Sequence, residues 1–213
     1  MAKPALRQVR GIIFDLDGTL YESQEFAATI QEAAAQYIAG IKTCGPSVAR
    51  SLIIETRLRL AEERHEIPTL SAVCNALGGT IQGLHAYFQA HLHPEHYLSR
   101  DQRVIALLEN LARRCTLYLY TNNNRALTMR ILVLLGLGGF FRKIHALDDT
   151  WIAKPDSGML QLILDEAGLQ PEEALFVGDR YDVDLRLPEQ IGCQVYLSKT
   201  VDDLLKLKGM LKG

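Results

Sequence analysis

Two aspartates stand two residues apart in the string DLDGTL, directly after a short apolar run. Asp15 and Asp17 can project into one site if the backbone turns sharply after the run, and Gly18 permits that turn because it has no side chain. An isolated pair of aspartates at this spacing is usual in a solvated loop. The complete string, an apolar run followed by DLDGTL, is far more specific and predicts two carboxylates in one functional site.

Two further strings could bind a phosphate group. Thr121 and Asn122 follow a second apolar run, where a hydroxyl and successive backbone N–H groups can bind phosphate oxygens. Lys154 precedes Pro155 and a predicted helix, and a lysine there can reach a phosphate as a compact point charge. Threonine, asparagine and lysine are common loop and surface residues, so neither string alone indicates a phosphate site. Each becomes informative only together with the other polar strings.

A group of acids in the string GDRYDVD follows the fourth apolar run. Asp179 comes immediately after the run, and Asp182 and Asp184 lie close behind it. Carboxylates in this arrangement suit a hard cation such as Mg²⁺. The sequence leaves open which of Asp182 and Asp184 joins Asp179, and the alternative is a simple turn that leads into a helix.

Five apolar runs must position these residues, and we predict that they are strands; they cover residues 9–15, 116–120, 143–147, 174–177 and 193–197. Residues 125–135, which stop at Gly136, and residues 156–167, which lie between Pro155 and Gly168, have helical spacing. A short amphipathic helix is predicted over 201–211. Strands that alternate with helices predict an α/β fold with a Rossmann-like, doubly wound parallel sheet. Ligands of such sheets bind beyond the carboxyl ends of the strands, where the polar strings fall.

The pattern changes between the first strand and the second. Apolar residues recur at helical spacing over 26–38, 48–60, 71–77 and 81–92, and no convincing strand is found there. The interruption predicts a bundle of about four helices inserted into the sheet domain. We therefore predict a catalytic core formed by residues 1–21 and 98–213, and a helical domain formed by residues 22–97.

Composition excludes several classes of function. The chain has 213 residues, of which 48% are hydrophobic and 23% charged, and its net charge is −2. The basic residues form no long run, so neither a nucleic acid nor a membrane surface is expected as a partner. No apolar stretch is long enough for a membrane span, and the first residues lack the apolar run of a signal peptide. The four cysteines form no CxxC pair, so we expect a cytoplasmic protein with reduced thiols. Either a monomer or a homodimer is expected, since the sequence does not indicate the oligomeric state.

The four polar strings, in this order, resemble the four motifs of the haloacid dehalogenase-like (HAD) hydrolase superfamily. The resemblance spans residues 9–20 and about 100–197. The inserted helices are similar to the helical cap that one branch carries between its first two motifs. Dehalogenases lack an acid at the position of Asp17, whereas phosphatases and phosphomutases have one, so the resemblance favours the phosphatase branch.

The resemblance implies a role for each residue. Asp15 would be the nucleophile that forms an aspartyl-phosphate, and Asp17 would protonate the leaving oxygen and then activate water. Lys154 would orient Asp15 and the phosphate, which Thr121 and Asn122 would also bind. The metal would be Mg²⁺, held by Asp15, the backbone carbonyl of Asp17, Asp179 and Asp184, with Asp182 as the alternative to Asp184.

Electrostatics agrees with those roles. Asp15, Asp179 and Asp184 carry three negative charges and a phosphate dianion adds two, while Mg²⁺ and Lys154 return only three positive ones. Without both cations an anionic substrate could not approach an anionic nucleophile. We therefore expect a Mg²⁺-dependent phosphatase of a small phosphorylated metabolite, with a phosphomutase or a non-catalytic phosphate-binding module as alternatives. Phosphoglycolate, a pyrimidine nucleotide and a sugar phosphate remain open as substrates.

Overall fold

The computed structural model describes residues 8–65 and 67–210. Its centre is a parallel sheet of five strands, which confirms the predicted α/β fold. In chain order the strands are β1 (Gly11–Phe14), β2 (Thr116–Tyr120), β3 (Lys143–His145), β4 (Ala174–Gly178) and β5 (Gln194–Leu197). Their order across the sheet is β3-β2-β1-β4-β5.

The topology brings the polar strand ends together. After β1 the chain adds β2 and β3 on one side and then crosses to add β4 and β5 on the other, so the direction of winding reverses at β1. The register places Phe14 opposite Leu119 and also opposite Val177. The next residue of each strand therefore lies at one edge of the sheet, beside the switch point where ligands of open α/β sheets bind.

The inserted segment is helical, as its periodicity predicts. It contains α1 (Gln24–Lys42), α2 (Pro46–Arg64), α3 (Leu70–Ala76) and α4 (Ile81–His91). The side chains of Ser23, Thr69 and Thr80 cap the amino ends of α1, α3 and α4 by accepting a backbone N–H, and helix α1 packs against α2 and α4.

Five more helices accompany the sheet among the described residues: α5 (Gln102–Ala112), α6 (Arg125–Leu135), α7 (Ser157–Ala167), α8 (Arg186–Gln190) and α9 (Val201–Leu205). Asn124 and Asp156 cap the amino ends of α6 and α7, and Gly136 and Gly168 end these helices in the left-handed conformation. Helix α9 is shorter than the helix predicted over 201–211, because the chain tightens into a 3₁₀ turn at Lys206–Gly209, and Leu211 lies outside the described residues.

One hydrophobic core lies between the sheet and α7. Alternate residues of a strand point to opposite faces, so Ile13 of β1 and Phe176 of β4 share one face of the sheet. They pack there with Tyr118 and with Ile163 and Leu164 of α7, all of them buried. This apolar packing fixes the strands whose ends carry the polar residues.

Chain packing separates two compact units. The first comprises the described residues up to Glu22 and those from Leu98 onward, and the second is Ser23–Tyr97. That the second unit acts as a cap stays a prediction. Across residues 8–65 and 67–210, no helix combines the length and the apolar character that crossing a bilayer requires.

Candidate active site

The ammonium group of Lys154 forms the centre of the site. Its Nζ donates to Oδ1 of Asp15 at 2.6 Å, to Oδ1 of Asp184 at 2.7 Å and to the carbonyl of Tyr120 at 2.9 Å. An ammonium has three donors, so these three acceptors use all of them. Lys154, Asp15 and Asp184 are all buried, at 3%, 4% and 6% exposure. The fold therefore brings the predicted lysine and two of the predicted acids together in one buried cluster.

Asn122 fixes the loop that carries Lys154. The side-chain oxygen of Asn122 accepts the backbone N–H of Lys154 at 2.7 Å, and Asn122 itself follows the end of β2. In the structure its carboxamide oxygen accepts a backbone hydrogen bond, so the side chain positions Lys154. That Asn122 also binds a phosphate stays a prediction.

Asp15 sits at the end of β1 and is held from two sides. Its backbone N–H continues the ladder to the carbonyl of Val177 at 2.9 Å, and its Oδ2 accepts the hydroxyl of Thr19 at 3.3 Å. Gly18 makes the turn in between with a φ of +80°, and a Cβ there would lie 2.7 Å from Oδ2 of Asp179. Only glycine allows the DLDGTL loop to pass so close to the second acidic string.

The three acids of the fourth string do not all lie in the same place. Oxygens of Asp15, Asp179 and Asp184 lie within 4.8 Å of one another. Asp184 reaches this position because residues 181–185 form a single π-helical turn, in which its Oδ2 accepts the backbone N–H of Arg180 at 3.1 Å. Asp182 is exposed and lies 3.9 Å from Arg186. The geometry thus brings Asp184, and not Asp182, to the cluster.

Gly178 makes room for that arrangement. A Cβ at this position would lie 2.4 Å from the Cβ of Asp184, a distance that real atoms do not adopt. The glycine that ends β4 is therefore required by the close approach of the π-helical turn to the strand.

The three acids suit a divalent cation. Hard carboxylate oxygens are the ligands that Mg²⁺ prefers. Oδ1 of Asp179 is buried and has no hydrogen-bond partner within the part of the chain that the structure describes. Its nearest cation, Nε of Arg180, is 3.7 Å away, outside hydrogen-bond distance. A buried carboxylate oxygen without a donor is unfavourable unless a cation binds to it. The three acids therefore fit a Mg²⁺ ion.

Burial governs the protonation of the cluster. It raises the pKa of Asp15 to about 7, a rise that Asp184 increases and Lys154 opposes. Burial likewise raises the pKa of Asp179, against the neighbouring Arg180. For Lys154 burial disfavours the charged form, but Asp15 and Asp184 outweigh it and raise the pKa. The lysine therefore stays charged, while burial favours the protonated forms of Asp15 and Asp179.

Asp17 lies beside this cluster and has two donors of its own. The hydroxyl of Tyr21 donates to its Oδ1, and Nδ2 of Asn123 donates to its Oδ2 at 2.7 Å. Burial raises the pKa of Asp17, and the two hydrogen bonds lower it. We did not predict a role for Asn123, although its position in the string TNNN, at the end of the strand next to β1, could have indicated one.

Thr121 is fully buried at the end of β2. Its N–H donates to the carbonyl of His145 at 3.0 Å, and its hydroxyl oxygen accepts the N–H of Asn123 at 3.1 Å. Thr121 directly follows Tyr120, whose carbonyl binds Lys154, so it lies at the same edge of the sheet as Asp15. Its role in binding a phosphoryl oxygen stays a prediction.

Comparison with known proteins agrees with this fold. A family model described as haloacid dehalogenase-like hydrolase matches residues 9–192, so the chain belongs to this family. The phosphoglycolate phosphatase of Pectobacterium atrosepticum is 30% identical over 199 residues, which cover 89% of this chain and 80% of that protein. The predicted family and its phosphatase branch are thereby confirmed.

Solved structures show the same fold at low identity. The 2-haloacid dehalogenase of Pseudomonas syringae pv. Tomato DC3000 superposes with a TM-score of 0.62 at 23% identity, covering 95% of this chain and 98% of that one. A HAD family enzyme of Bacteroides thetaiotaomicron, in complex with magnesium and inorganic phosphate, gives a TM-score of 0.55 at 16% identity and covers 89% and 93%.

Proposed function

We propose that the protein is a Mg²⁺-dependent phosphatase that hydrolyses a small phosphomonoester through an aspartyl-phosphate on Asp15. The observation that carries the proposal is the buried cluster in which Lys154 binds Asp15 and Asp184 while Asp179 lies within 4.8 Å of both. The family supplies the reaction class, and the magnesium and phosphate in the Bacteroides structure support this choice of ligands.

Asp15 would act as the nucleophile. Its carboxylate is fixed by Lys154 and Thr19, so one orientation is available when the ester arrives. Covalent catalysis splits a difficult displacement into two easier ones, since the ester oxygen leaves before water attacks the acyl phosphate. Phosphoryl transfer needs mainly positioning and charge stabilisation, which a fixed carboxylate and a buried ammonium provide.

Lys154 and the acids set the charge balance. Asp15, Asp179 and Asp184 would hold Mg²⁺, which supplies positive charge to polarise the phosphoryl oxygens. Lys154 keeps Asp15 and Asp184 from repelling each other, because its ammonium bridges them at 2.6 and 2.7 Å. Asp17 would deliver the proton to the leaving oxygen and then take one from water.

The helical unit Ser23–Tyr97 corresponds, in this proposal, to the cap of the family, because it is inserted between the DLDGTL loop and β2. The substrate would be a small phosphorylated metabolite. Phosphoglycolate is the first candidate to test, because a relative that is 30% identical bears that name.

The test is phosphate release from a panel of phosphoglycolate, nucleoside monophosphates and sugar phosphates, with Mg²⁺ and with a chelator. We expect turnover of at least one ester that requires Mg²⁺. Asp15→Asn should reduce it by about a thousandfold or more, since the nucleophile is lost. Mass spectrometry after acid quench should find a covalent phosphate on Asp15.

Asp182→Asn is the matched control, because the same substitution falls on an exposed aspartate away from the cluster. It should keep near wild-type turnover. Undiminished activity of Asp15→Asn, or an equal loss in Asp182→Asn, would contradict the assignment of the nucleophile.

A further inference from the structure

Both oxygens of the Asp17 carboxylate are already bound by the protein. Tyr21 donates its hydroxyl to Oδ1, and Asn123 donates its amide to Oδ2 at 2.7 Å. A carboxylate on a loop can usually rotate about its side-chain bonds. Here each oxygen of the Asp17 carboxylate accepts a hydrogen bond from a different residue, so the carboxylate is held in one orientation.

The two donors are themselves anchored. Asn123 donates its N–H to the Thr121 hydroxyl at 3.1 Å and accepts the N–H of Leu147 at 2.9 Å through its carbonyl. The backbone of Tyr21 pairs with that of Asp17 in an isolated parallel bridge. Tyr21 and Asn123 are each only 8% exposed. Tyr21 and Asn123, the two donors to Asp17, are therefore held in place by the backbone of the sheet and its loops.

Both hydrogen bonds are compatible with a protonated Asp17. Each carboxyl oxygen has two lone pairs, so it can accept one of these hydrogen bonds and still carry a proton on the other lone pair. The two donors can therefore hold the carboxyl group in the same orientation in its charged and in its neutral form.

We propose that Tyr21 and Asn123 are positioning residues that hold Asp17 for proton transfer. This inference rests on the proposed phosphatase function. In the first step the O–H bond of the Asp17 carboxyl group breaks and the proton goes to the ester oxygen as the phosphorus–oxygen bond to the leaving group breaks. In the second step a water proton returns to the Asp17 carboxylate as the water oxygen attacks phosphorus and the bond to Asp15 breaks.

The test compares two esters that differ in their need for a proton. An alkyl ester such as phosphoglycolate has a poor leaving group that must be protonated, whereas 2,4-dinitrophenyl phosphate releases a stable anion. The quantity kcat/KM covers the steps up to formation of the phosphoenzyme, so it excludes the later attack of water. The ratio of kcat/KM for the alkyl ester to kcat/KM for the aryl ester therefore measures proton delivery.

Tyr21→Phe keeps the ring and removes the hydroxyl, and Asn123→Ala removes the amide. We expect each to lower this ratio by about ten- to hundredfold, up to the loss seen in Asp17→Asn, because general acid catalysis contributes about a hundredfold or more. Tyr196→Phe is the matched control. Tyr196 lies buried on β5, and the change removes its hydroxyl, which donates to the carbonyl of Asp203 in α9. This variant should leave the ratio unchanged.

A purely structural role would lower kcat/KM for both esters by the same factor and would leave the ratio constant. That result, or an unchanged kcat/KM for both esters, would overturn the inference while leaving the phosphatase function intact. A wild-type protein that releases phosphate neither from any ester of the panel nor from 2,4-dinitrophenyl phosphate would overturn the proposed function and this inference with it. Thermal unfolding of each variant shows whether the fold is retained.

Discussion

Replacing Lys154 by methionine removes the one ammonium group that Asp15, Asp184 and the carbonyl of Tyr120 share. Methionine is unbranched and of similar length, so the change deletes charge and donors with little loss of packing. Two buried carboxylates and one carbonyl then lose their partner. The substitution therefore measures what the buried cluster contributes to stability.

The size of the effect follows from burial. Removing one partner of a buried ion pair costs about 3 to 5 kcal/mol, because the remaining charge stays buried without compensation. Lys143 provides the matched control, since its Nζ lies 2.6 Å from Glu166, the same distance as Lys154 from Asp15. The side chain of Lys143 is 47% exposed against 2% for Lys154. An exposed pair is worth about 0 to 1 kcal/mol, so Lys143→Met should cost little.

The loss should also depend on pH. Burial raises the pKa of Asp15 to about 7, and Lys154 opposes that rise. Without Lys154 the pKa of Asp15 goes up further. A carboxyl group whose pKa is raised on folding stabilises the protein fully below its unfolded pKa, and that contribution is lost as the pH rises through the folded pKa. Lys154→Met should therefore cost less near pH 5 than near pH 8.

Denaturant unfolding of the metal-free protein, followed by circular dichroism, measures these differences. The wild type, Lys154→Met and Lys143→Met are compared at about pH 5 and about pH 8. We expect the Lys154 variant to lose several times more free energy of unfolding than the Lys143 variant at the higher pH. Equal losses in the two variants, or a larger loss at the lower pH, would refute the reasoning.

Two further predictions concern the acids. Burial raises the pKa of Asp15 to about 7 in the metal-free protein, so Asp15 alone should lower the free energy of unfolding by roughly 1.4 kcal/mol per pH unit between about pH 4 and about pH 7. Burial also raises the pKa of Asp17 and of Asp179, which acts in the same direction. Asp15→Asn should flatten that decline in denaturant unfolding, and a stability that rises with pH over this range would be incompatible with it. Arg180→Ala removes a half-exposed cation 3.7 Å from Asp179, which should tighten Mg²⁺ binding by about three- to tenfold in calorimetry. Arg180→Lys serves as its charge-preserving control, and unchanged or weaker Mg²⁺ binding by the alanine variant would count against this repulsion.

The strands could be predicted because their signal is local. Each is a short apolar run that ends at a polar residue, and the structure contains all five. The rule that ligands bind at the carboxyl ends of parallel strands then placed Asp15, Thr121 and Asp179 at one edge. Helix α5 was missed although Val104, Leu107, Leu108 and Leu111 follow a helical period and are buried. The information for this helix is therefore present in the local sequence.

The partners of the site residues were not predictable in the same way. Asp182 and Asp184 have the same side chain and lie two positions apart, and only the π-helical turn decides which of them meets Lys154. Asn122 and Asn123 are also chemically alike. One accepts the backbone N–H of Lys154 and the other donates to Asp17, because the loop after β2 turns their side chains to different neighbours.

The sequence by itself determined the order of strands along the chain, the helical insertion and the residues at the strand ends, because apolar periodicity and turn residues act over a few positions. Tertiary structure alone decided which donor binds each carboxylate oxygen of Asp15 and Asp17. Asp17 and Asn123 are 106 positions apart and Asp15 and Lys154 are 139 apart, yet each pair is within hydrogen-bond distance. Such contacts depend on sheet register and loop conformation, which a local pattern does not encode.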